Sequence, residues 1–183
     1  MKISLTTPLT KEKAASLKAG DIVSLTGIIY TGRDAAHKRM VDGFLQTGEF
    51  PFDLKDQIIY YVGPAPAKPG QITGSAGPTT SGRMDAYAPT VLDNGSTGMI
   101  GKGARTKEVI EAMKRNKAVY FGATGGAGAL IAGHIKKSEV VAYDDLGTEA
   151  IHRFYVEDLP LVVIIDSEGN NLYETEKAKF RKN

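Results

Sequence analysis

Three positively charged side chains stand next to glycines in this sequence. Arg33 and Arg83 each follow a glycine, and Lys102 has a glycine on both sides. Glycine lets the backbone approach a ligand closely and adopt positive φ, and successive amide groups in such turns can bind anions. Arginine offers a planar fork that fits a carboxylate, and lysine offers a point charge. The three cations therefore have the chemistry to bind a small dianion.

Hydroxyl groups cluster beside one of these cations, in the stretch GPTTSGRMD at residues 77–85. Thr79, Thr80 and Ser81 can each bind a carboxylate or a substrate hydroxyl group. A single Gly-Arg pair is more often a surface turn with a solvated charge, so a structural role stays open for each cation taken alone. Three cations in loops, together with a hydroxyl cluster, favour an anion-binding site.

The three histidines, His37, His134 and His152, are interpreted as structural. For His37 a second interpretation stays open, in which it faces the anion site instead of supporting the helix that begins near Asp34. None of the three has a second histidine at the helical spacing of metal ligands, so a self-contained zinc site is not expected.

Two nucleotide-binding motifs are excluded by spacing. In the glycine-rich segment 122–130, Gly126 and Gly128 begin a dinucleotide-binding pattern, but Ile131 stands where the third glycine is required. These small residues instead predict a helix packed close to a sheet. Around Lys102, Gly103 replaces the Ser or Thr that binds magnesium in a phosphate-binding loop.

Composition limits the class of protein. The chain has 183 residues, 42% of them hydrophobic and 24% charged, which is typical of one globular domain. A net charge of +2 gives no support for nucleic-acid binding. The chain has no cysteine, which excludes disulfides and thiolate chemistry. We find no signal peptide and no membrane-spanning segment, and we expect a cytoplasmic protein.

Periodicity and turn residues predict a mixed α/β chain with more strands than a regular βαβ alternation. Helices are expected at residues 10–18, 34–46, 84–92, 106–116 and 125–135. Strands are expected at 21–30, 57–62, 118–121, 139–143 and 161–165, with a polar-interrupted strand before the last and a short strand after the turn at 166–170. Residues 93–105 are expected to form a loop, and 174–183 a solvated, frayed tail.

Five segments carry a family resemblance. They are TGRDAAHKR, GPTTSGRMD, GKG, FGATGGAGAL and EAIHRFYVEDLPLVVIIDSEGNNLY. Together they resemble the β subunit of the iron–sulfur hydro-lyases, the family that contains class I fumarases and L-tartrate dehydratases. In single-chain class I fumarases the same unit resembles the C-terminal domain. The resemblance extends from about residue 9 to about residue 173, the expected core of a single domain spanning residues 1–183. It is specific for the family and weakly specific for the substrate.

The resemblance implies a single swivelling β/β/α domain with a mixed sheet and packed helices. It also implies a partner, the α subunit or N-terminal domain, which holds a [4Fe–4S] cluster with three cysteines and leaves one iron open as a Lewis acid. The absence of cysteine from this chain fits that division. The chain is then expected to hold no metal itself, and to assemble as a heterodimer or an α2β2 complex.

The resemblance also implies roles for individual residues. Arg33 and Arg83 correspond to carboxylate binders, and Lys102 to a third cationic contact. Thr79 corresponds to the threonine placed beside the reacting carbons and proposed to transfer a proton, while Thr80 binds or supports the substrate. Because a threonine hydroxyl is a poor base alone, Thr79 needs a neighbouring base or a strongly cationic site.

These features predict the β subunit of a fumarate hydratase, active only with its α subunit and catalysing the reversible hydration of fumarate to L-malate. An L-tartrate dehydratase β subunit is the nearest alternative. A non-catalytic module that binds a dicarboxylate or phosphate, and a purely structural subunit, are further alternatives.

Overall fold

The computed structural model describes residues 2–124 and 128–180. The strands are β1 (Lys2–Thr6), β2 (Ile22–Thr31), β3 (Ile58–Tyr60), β4 (Gly98–Gly101), β5 (Val119–Ala123), β6 (Ile135–Ala142) and β7 (Ile151–Ile165). The α-helices are α1 (Lys11–Ser16), α2 (Asp34–Thr47), α3 (Ala88–Asp93), α4 (Lys107–Asn116), α5 (Gly128–Ala132) and α6 (Leu172–Phe180). Short 3₁₀ segments occupy Ser81–Met84 and Asp144–Glu149.

Five of the strands close into a ring. β2, β3, β4 and β5 pair in parallel in that order, and β7 closes the ring by pairing antiparallel with both β5 and β2. β1 extends the sheet beside β2, and β6 pairs with the first half of β7. This mixed sheet with packed helices confirms the predicted α/β class.

The parallel strands β3, β4 and β5 are apolar along almost their whole length, and both of their faces are buried. Tyr60 and Phe121 point into the main core, and alternate residues of β7 point into the same core. Ile59 and Tyr120, one position away on the same strands, point outward into a second core that α3 and α4 cover. Strands buried on both faces are typical of parallel pairing, which explains the near-continuous apolar runs.

The parallel pairing places four carboxyl ends at one edge of the ring. Because β2 to β5 run in the same direction, the segments that follow them begin side by side. We call this the carboxyl edge, and define it as residues 32–34, 61–63, 79–83 and 101–105. It contains the three glycine-flanked cations, which are far apart in sequence.

Polar side chains fix the starts of two helices at the predicted positions. The Thr10 hydroxyl accepts a hydrogen bond from Lys13 N at the start of α1, and Thr106 accepts one from Val109 N at the start of α4. Each threonine satisfies a backbone donor that the helix itself leaves unpaired. α2 begins at Asp34, as predicted, and ends at Gly48, which adopts the left-handed conformation.

The structure corrects several sequence-based boundaries. Residues 93–105, expected to be a loop, contain strand β4, whose glycine-rich sequence masks its buried central position. The helix expected at 84–92 is a 3₁₀ turn followed by the shorter α3. The two strands expected before residue 165 form one strand, β7, which bends near Asp158 with positive φ. β1 was not predicted, and β6 begins at Ile135, earlier than expected.

The carboxyl-terminal segment differs most from expectation. The strand expected after residues 166–170 is reduced to a single bridge at Asn171, and α6 follows. Residues 174–180, expected to be a solvated tail, belong to this helix, and none of its residues is buried. Of the helix expected at 125–135, only α5 is observed, and residues 125–127 lie outside the described part of the chain.

The closed ring predicts at which positions replacing a large side chain by alanine destabilises the fold. Phe121 is 0% exposed in the main core, whereas Phe180 on α6 is 78% exposed. We expect Phe121→Ala to lower the free energy of unfolding by about 4 kcal/mol, through lost burial and the cavity left behind. The matched control Phe180→Ala should cost under about 0.5 kcal/mol. Chemical denaturation measures both, and equal losses would show that Phe121 is not a core residue.

Candidate functional site

Backbone hydrogen bonds join the segments of the carboxyl edge. Gly32 N donates to Tyr60 O at 3.0 Å, which continues the β2–β3 pairing past the strand ends. Thr79 N donates to Tyr61 O at 2.7 Å, so the long loop after β3 returns to the strand it left. Ser81 N donates to Lys102 O at 2.8 Å, and this ties the loop to β4. The loops are therefore held by the sheet itself.

Arg33 lies between the end of β2 and the first turn of α2. Its side chain crosses Gly63 so closely that a Cβ atom on Gly63 would lie 2.9 Å from Arg33 Cδ. The Arg33 Nε atom is 3.8 Å from Glu149 Oε1, too far for a hydrogen bond. Arg33 Nε is also buried and has no hydrogen-bond partner among the described residues. A charged donor in that state is available to a ligand.

Asp34 and Arg83 face each other beside Arg33. Arg83 Nη1 is 3.8 Å from Asp34 Oδ2, and the two side chains are 59% and 42% exposed. The other carboxylate oxygen, Asp34 Oδ1, is buried and lacks a hydrogen-bond partner within the described part of the chain. These long contacts leave both arginines with free donors, as expected of a site that binds an anion.

The remaining predicted site residues lie on the same edge. Thr80 forms an isolated parallel bridge with Lys102, and both are exposed. Thr79 is half-buried, and no described side chain makes a hydrogen bond to its hydroxyl group. The structure thus brings the three cations, Thr79 and Thr80 to the carboxyl edge, and it shows no described side chain bonded to the Thr79 hydroxyl as a base.

His37 is a buried support for this surface. Its Nδ1 atom donates to the Arg33 carbonyl at 2.9 Å, and its ring packs edge-on against Tyr61 at 5.3 Å. Burial lowers the pKa of His37 from 6.5 to about 4, although the hydrogen bond to Arg33 acts in the opposite direction. The imidazole is therefore neutral at pH 7 and fixes the backbone that carries Arg33, which agrees with the structural interpretation.

Gly128, in the glycine-rich segment 122–130, packs against the loop that precedes Thr79. Gly128 lies so close to residues 75–77 that an added Cβ atom would be 2.7 Å from Gly77 N, and Ala76 N donates to Gly128 O at 3.2 Å. This segment was expected to pack close to a sheet, whereas the close approach at Gly128 is to a loop of the site. Gly126 lies outside the described residues.

A buried charged pair beneath the carboxyl edge was not indicated by any sequence motif. The side chain of Arg105 is 0% exposed, and its Nε atom donates to Asp85 Oδ1 at 2.7 Å. Arg105 Nη2 donates to the Tyr61 hydroxyl at 3.1 Å, and Thr106 N donates to Asp85 Oδ2 at 2.8 Å. The only signal was that Asp85 ends the GPTTSGRMD stretch and Arg105 ends the segment around Lys102.

The described residues contain no group of three or more His, Cys, Asp or Glu side chains arranged to hold a metal ion. Within the same residues, no helix is long and apolar enough to cross a lipid bilayer. The site that the described side chains do form is cationic and hydroxyl-rich, and it has a supporting carboxylate.

The chain is similar along most of its length to one protein family. The family model described as fumarase C-terminus matches residues 1–176. The chain is 40% identical over 179 residues to the anaerobic class I fumarate hydratase of Escherichia coli, covering 95% of this chain and 32% of that protein. It is 36% identical over 178 residues to the aerobic class I enzyme of Salmonella typhimurium, covering 95% of this chain and 31% of that one.

A third relative is close to this chain in length. It is a protein named "Putative L(+)-tartrate dehydratase subunit beta" from Methanocaldococcus jannaschii, 38% identical over 177 residues, which cover 93% of this chain and 91% of that protein. The chain thus spans about a third of the length of the class I fumarate hydratases and most of the length of this shorter relative.

The buried histidine predicts a pH dependence of stability. Because the pKa of His37 is lowered from 6.5 to about 4 in the folded chain, the unfolded chain binds the proton first as the pH falls. The stabilisation by neutral His37 is present above pH 6.5 and is lost between pH 6.5 and 4, by on the order of 3 kcal/mol.

The measurement is the free energy of unfolding at pH 7.5, 6, 5 and 4. His37→Asn keeps an amide donor for the Arg33 carbonyl but does not titrate, so it should show a shallower slope over this range. His134→Asn, at a histidine outside the site, controls for the replacement itself. If wild type and His37→Asn keep parallel curves, His37 is not a buried neutral group.

Proposed function

The chain belongs to the fumarase C-terminus family, and on that basis we propose that it is the dicarboxylate-binding part of an iron–sulfur hydro-lyase. Fumarate hydratase is the activity that we propose first, with reversible hydration of fumarate to L-malate. The observation that carries the proposal is the buried donor Arg33 Nε, which has no hydrogen-bond partner among the described residues, at the edge where Arg83 and Lys102 also lie.

The proposed role of the cations is to bind and polarise the two carboxylates. Hydration adds a hydroxyl group to one alkene carbon and a proton to the other, and charge builds on the carboxylate next to the protonated carbon. Arg33, Arg83 and Lys102 stabilise that charge more strongly in the transition state than in the bound substrate. Arg33 is the best placed of the three, because its Nε donor is already desolvated and positioned by Gly63 and His37.

The proposed role of Thr79 is proton transfer at the second carbon, with Thr80 binding or supporting the substrate. What supports the position of Thr79 is its backbone bond to Tyr61 O, which holds it at the end of β3. Its hydroxyl group needs a base, and a base from the partner polypeptide would fit the open surface on which Thr79 stands.

The residues of this chain do not fit an iron–sulfur cluster, since the sequence has no cysteine and the described residues hold no group of metal-binding side chains. We therefore assign the [4Fe–4S] cluster to a partner, which is an α subunit in a heterodimer or α2β2 complex, or a fused domain as in the longer relatives. The cytoplasmic location expected from the sequence stays a prediction.

L-tartrate dehydration is the second candidate. It is favoured by the M. jannaschii relative, which bears that name and matches this chain along 91% of its own length. The chemistry would be the same on a dihydroxy dianion, and the same cations would bind it. A non-catalytic dicarboxylate or phosphate module needs these cations too, but it does not require Thr79.

The function is tested by purifying this chain anaerobically with its native partner and assaying fumarate, L-malate and L-tartrate turnover. We expect hydratase activity in the complex and none in this chain alone. Turnover of L-tartrate without turnover of fumarate would select the second candidate. Turnover by the isolated chain would contradict the assignment of the cluster to a partner.

Arg83 offers a test of carboxylate binding, because its side chain is 59% exposed and substitutions of exposed side chains usually change stability by about 0.5 kcal/mol or less. We expect Arg83→Ala to lower kcat/KM of the assembled enzyme by 2–4 kcal/mol, about 30- to 1,000-fold. Arg115→Ala, at a surface arginine paired with Asp93 away from the site, is the matched control. An unchanged kcat/KM in Arg83→Ala would favour a purely structural subunit.

Gly63 offers a test of the position of Arg33 without changing its charge. An alanine at residue 63 would place Cβ against Arg33 Cδ and 3.3 Å from Thr148 O, so the Arg33 side chain must move. We expect Gly63→Ala to raise KM for the dicarboxylate at least tenfold. Gly43→Ala on α2, where an added Cβ meets nothing within 4 Å, should leave KM unchanged. Equal KM values in the two variants would show that Arg33 does not bind the substrate.

A further inference from the structure

Five buried side chains form one polar network beneath the carboxyl edge, which we call the Arg105 network: Tyr61, Ser81, Asp85, Arg105 and Tyr120. Besides its bonds to Asp85 and Tyr61, the Arg105 guanidinium lies over the rings of Tyr61 and Tyr120, at 5.2 and 4.8 Å from the ring centroids. The Tyr120 hydroxyl is 2.7 Å from Ser81 Oγ and donates to Gly103 O at 2.9 Å.

Four members of the network are next to, or bonded to, segments that carry proposed substrate contacts. The backbone carbonyl of Tyr61 accepts a hydrogen bond from Thr79 N, and Ser81 directly follows Thr80. Asp85 ends the 3₁₀ turn that carries Arg83. On the other side, Tyr120 binds the carbonyl of Gly103, which follows Lys102. The network therefore connects, from below, the 79–83 loop to the Lys102 segment.

The close packing in this region admits little movement. A Cβ atom on Gly101 would collide with Ser81 Oγ and lie 2.8 Å from Tyr61 Cδ2, so strand β4 and the loop touch directly beneath Lys102. The Ser81 hydroxyl is thereby confined between Gly101 and the Tyr120 hydroxyl. We expect a change at Tyr120 to reach the loop, because closely packed interiors transmit small displacements.

A charged pair that is almost fully buried contributes little net free energy to the stability of a fold. Taking both ions out of water offsets most of their attraction, and apolar residues of similar size often serve stability as well. Asp85 also binds Thr106 N at the start of α4, which is a structural role. That role does not account for the Tyr120 hydroxyl, whose two contacts both belong to segments of the site.

We propose that Arg105 and Tyr120 are positioning residues, which set the spacing between the 79–83 loop and Lys102 so that hydroxyls and cations contact one dicarboxylate together. This inference rests on the proposed function. Neither residue touches the substrate. Tyr120 acts through Ser81 and Gly103, and Arg105 acts through Tyr61 and Asp85. Misplacement of a substrate-positioning group by about 1 Å can cost about 100-fold in rate, so a small shift of this loop is measurable.

The test is Tyr120→Phe in the assembled enzyme, because this change removes the hydroxyl group and keeps the buried ring. We expect kcat to fall and KM to rise, with a combined loss of about 10- to 100-fold in kcat/KM. Tyr155→Phe, on β7 away from the carboxyl edge, is the matched control and should change neither constant. A lower melting temperature with unchanged kcat and KM would overturn the proposal and leave Tyr120 a structural residue.

A double-mutant cycle with Ser81→Ala tests the pathway. If Tyr120 acts through Ser81, the double variant loses less than the product of the two single losses in kcat/KM. Strictly multiplicative losses would contradict that pathway.

Hydrogen exchange of the same complexes gives a readout that does not depend on turnover. We expect faster exchange in Tyr120→Phe at residues 79–83 and 102–103, where Thr79 N and Ser81 N are bonded. Unchanged exchange there would overturn the inference. An inactive wild-type complex with the expected change in exchange would instead reject the proposed function and keep the network as the support of the loop.

Discussion

The parallel alignment of β2, β3, β4 and β5 is the constraint on which the site depends. Strands that run in the same direction end at the same edge, so the segments that follow them meet there whatever their separation in sequence. Arg33 and Lys102 are brought to this edge in this way, and Thr79 returns to it through the backbone hydrogen bond from Thr79 N to Tyr61 O. β7 closes the ring from the opposite direction, which places Glu149, just before its first residue, near Arg33.

Buried side chains support the carboxyl edge from below, and its upper surface is exposed. Below it, His37 is neutral and bonded to the Arg33 carbonyl, and Arg105 is paired with Asp85 out of contact with water. Above it, Arg83 and Lys102 are exposed, and Arg33 Nε is buried without a hydrogen-bond partner in the part of the chain that the structure describes. A surface that is supported from below and has unused hydrogen-bond donors on its exposed side is suited to bind an anion. A second polypeptide lying over it would complete the site. That arrangement is consistent with relatives in which this unit is either a separate β subunit or about a third of a longer chain.

Local patterns in the sequence indicated which residues lie at the carboxyl edge better than they indicated how that edge is built. Glycine-flanked cations and clustered hydroxyls are local features, and so are the threonines that begin α1 and α4. β4 was missed because its four residues are half glycine, and only its buried place between β3 and β5 makes it a strand. The pairing of Asp85 with Arg105 joins residues 20 positions apart, across two elements. Such contacts depend on the tertiary fold, which no spacing rule for a single sequence provides.

The most direct test of the account is a crystal structure of the assembled enzyme with a dicarboxylate bound. We predict that one carboxylate accepts a hydrogen bond from Arg33 Nε, the buried donor that has no hydrogen-bond partner among the described residues, and that Arg83 or Lys102 contacts the other carboxylate. The Thr79 hydroxyl should then face the carbons between the two carboxylates. A dicarboxylate bound elsewhere, with Arg33 Nε still unpartnered, would contradict the assignment of the carboxyl edge as the substrate site.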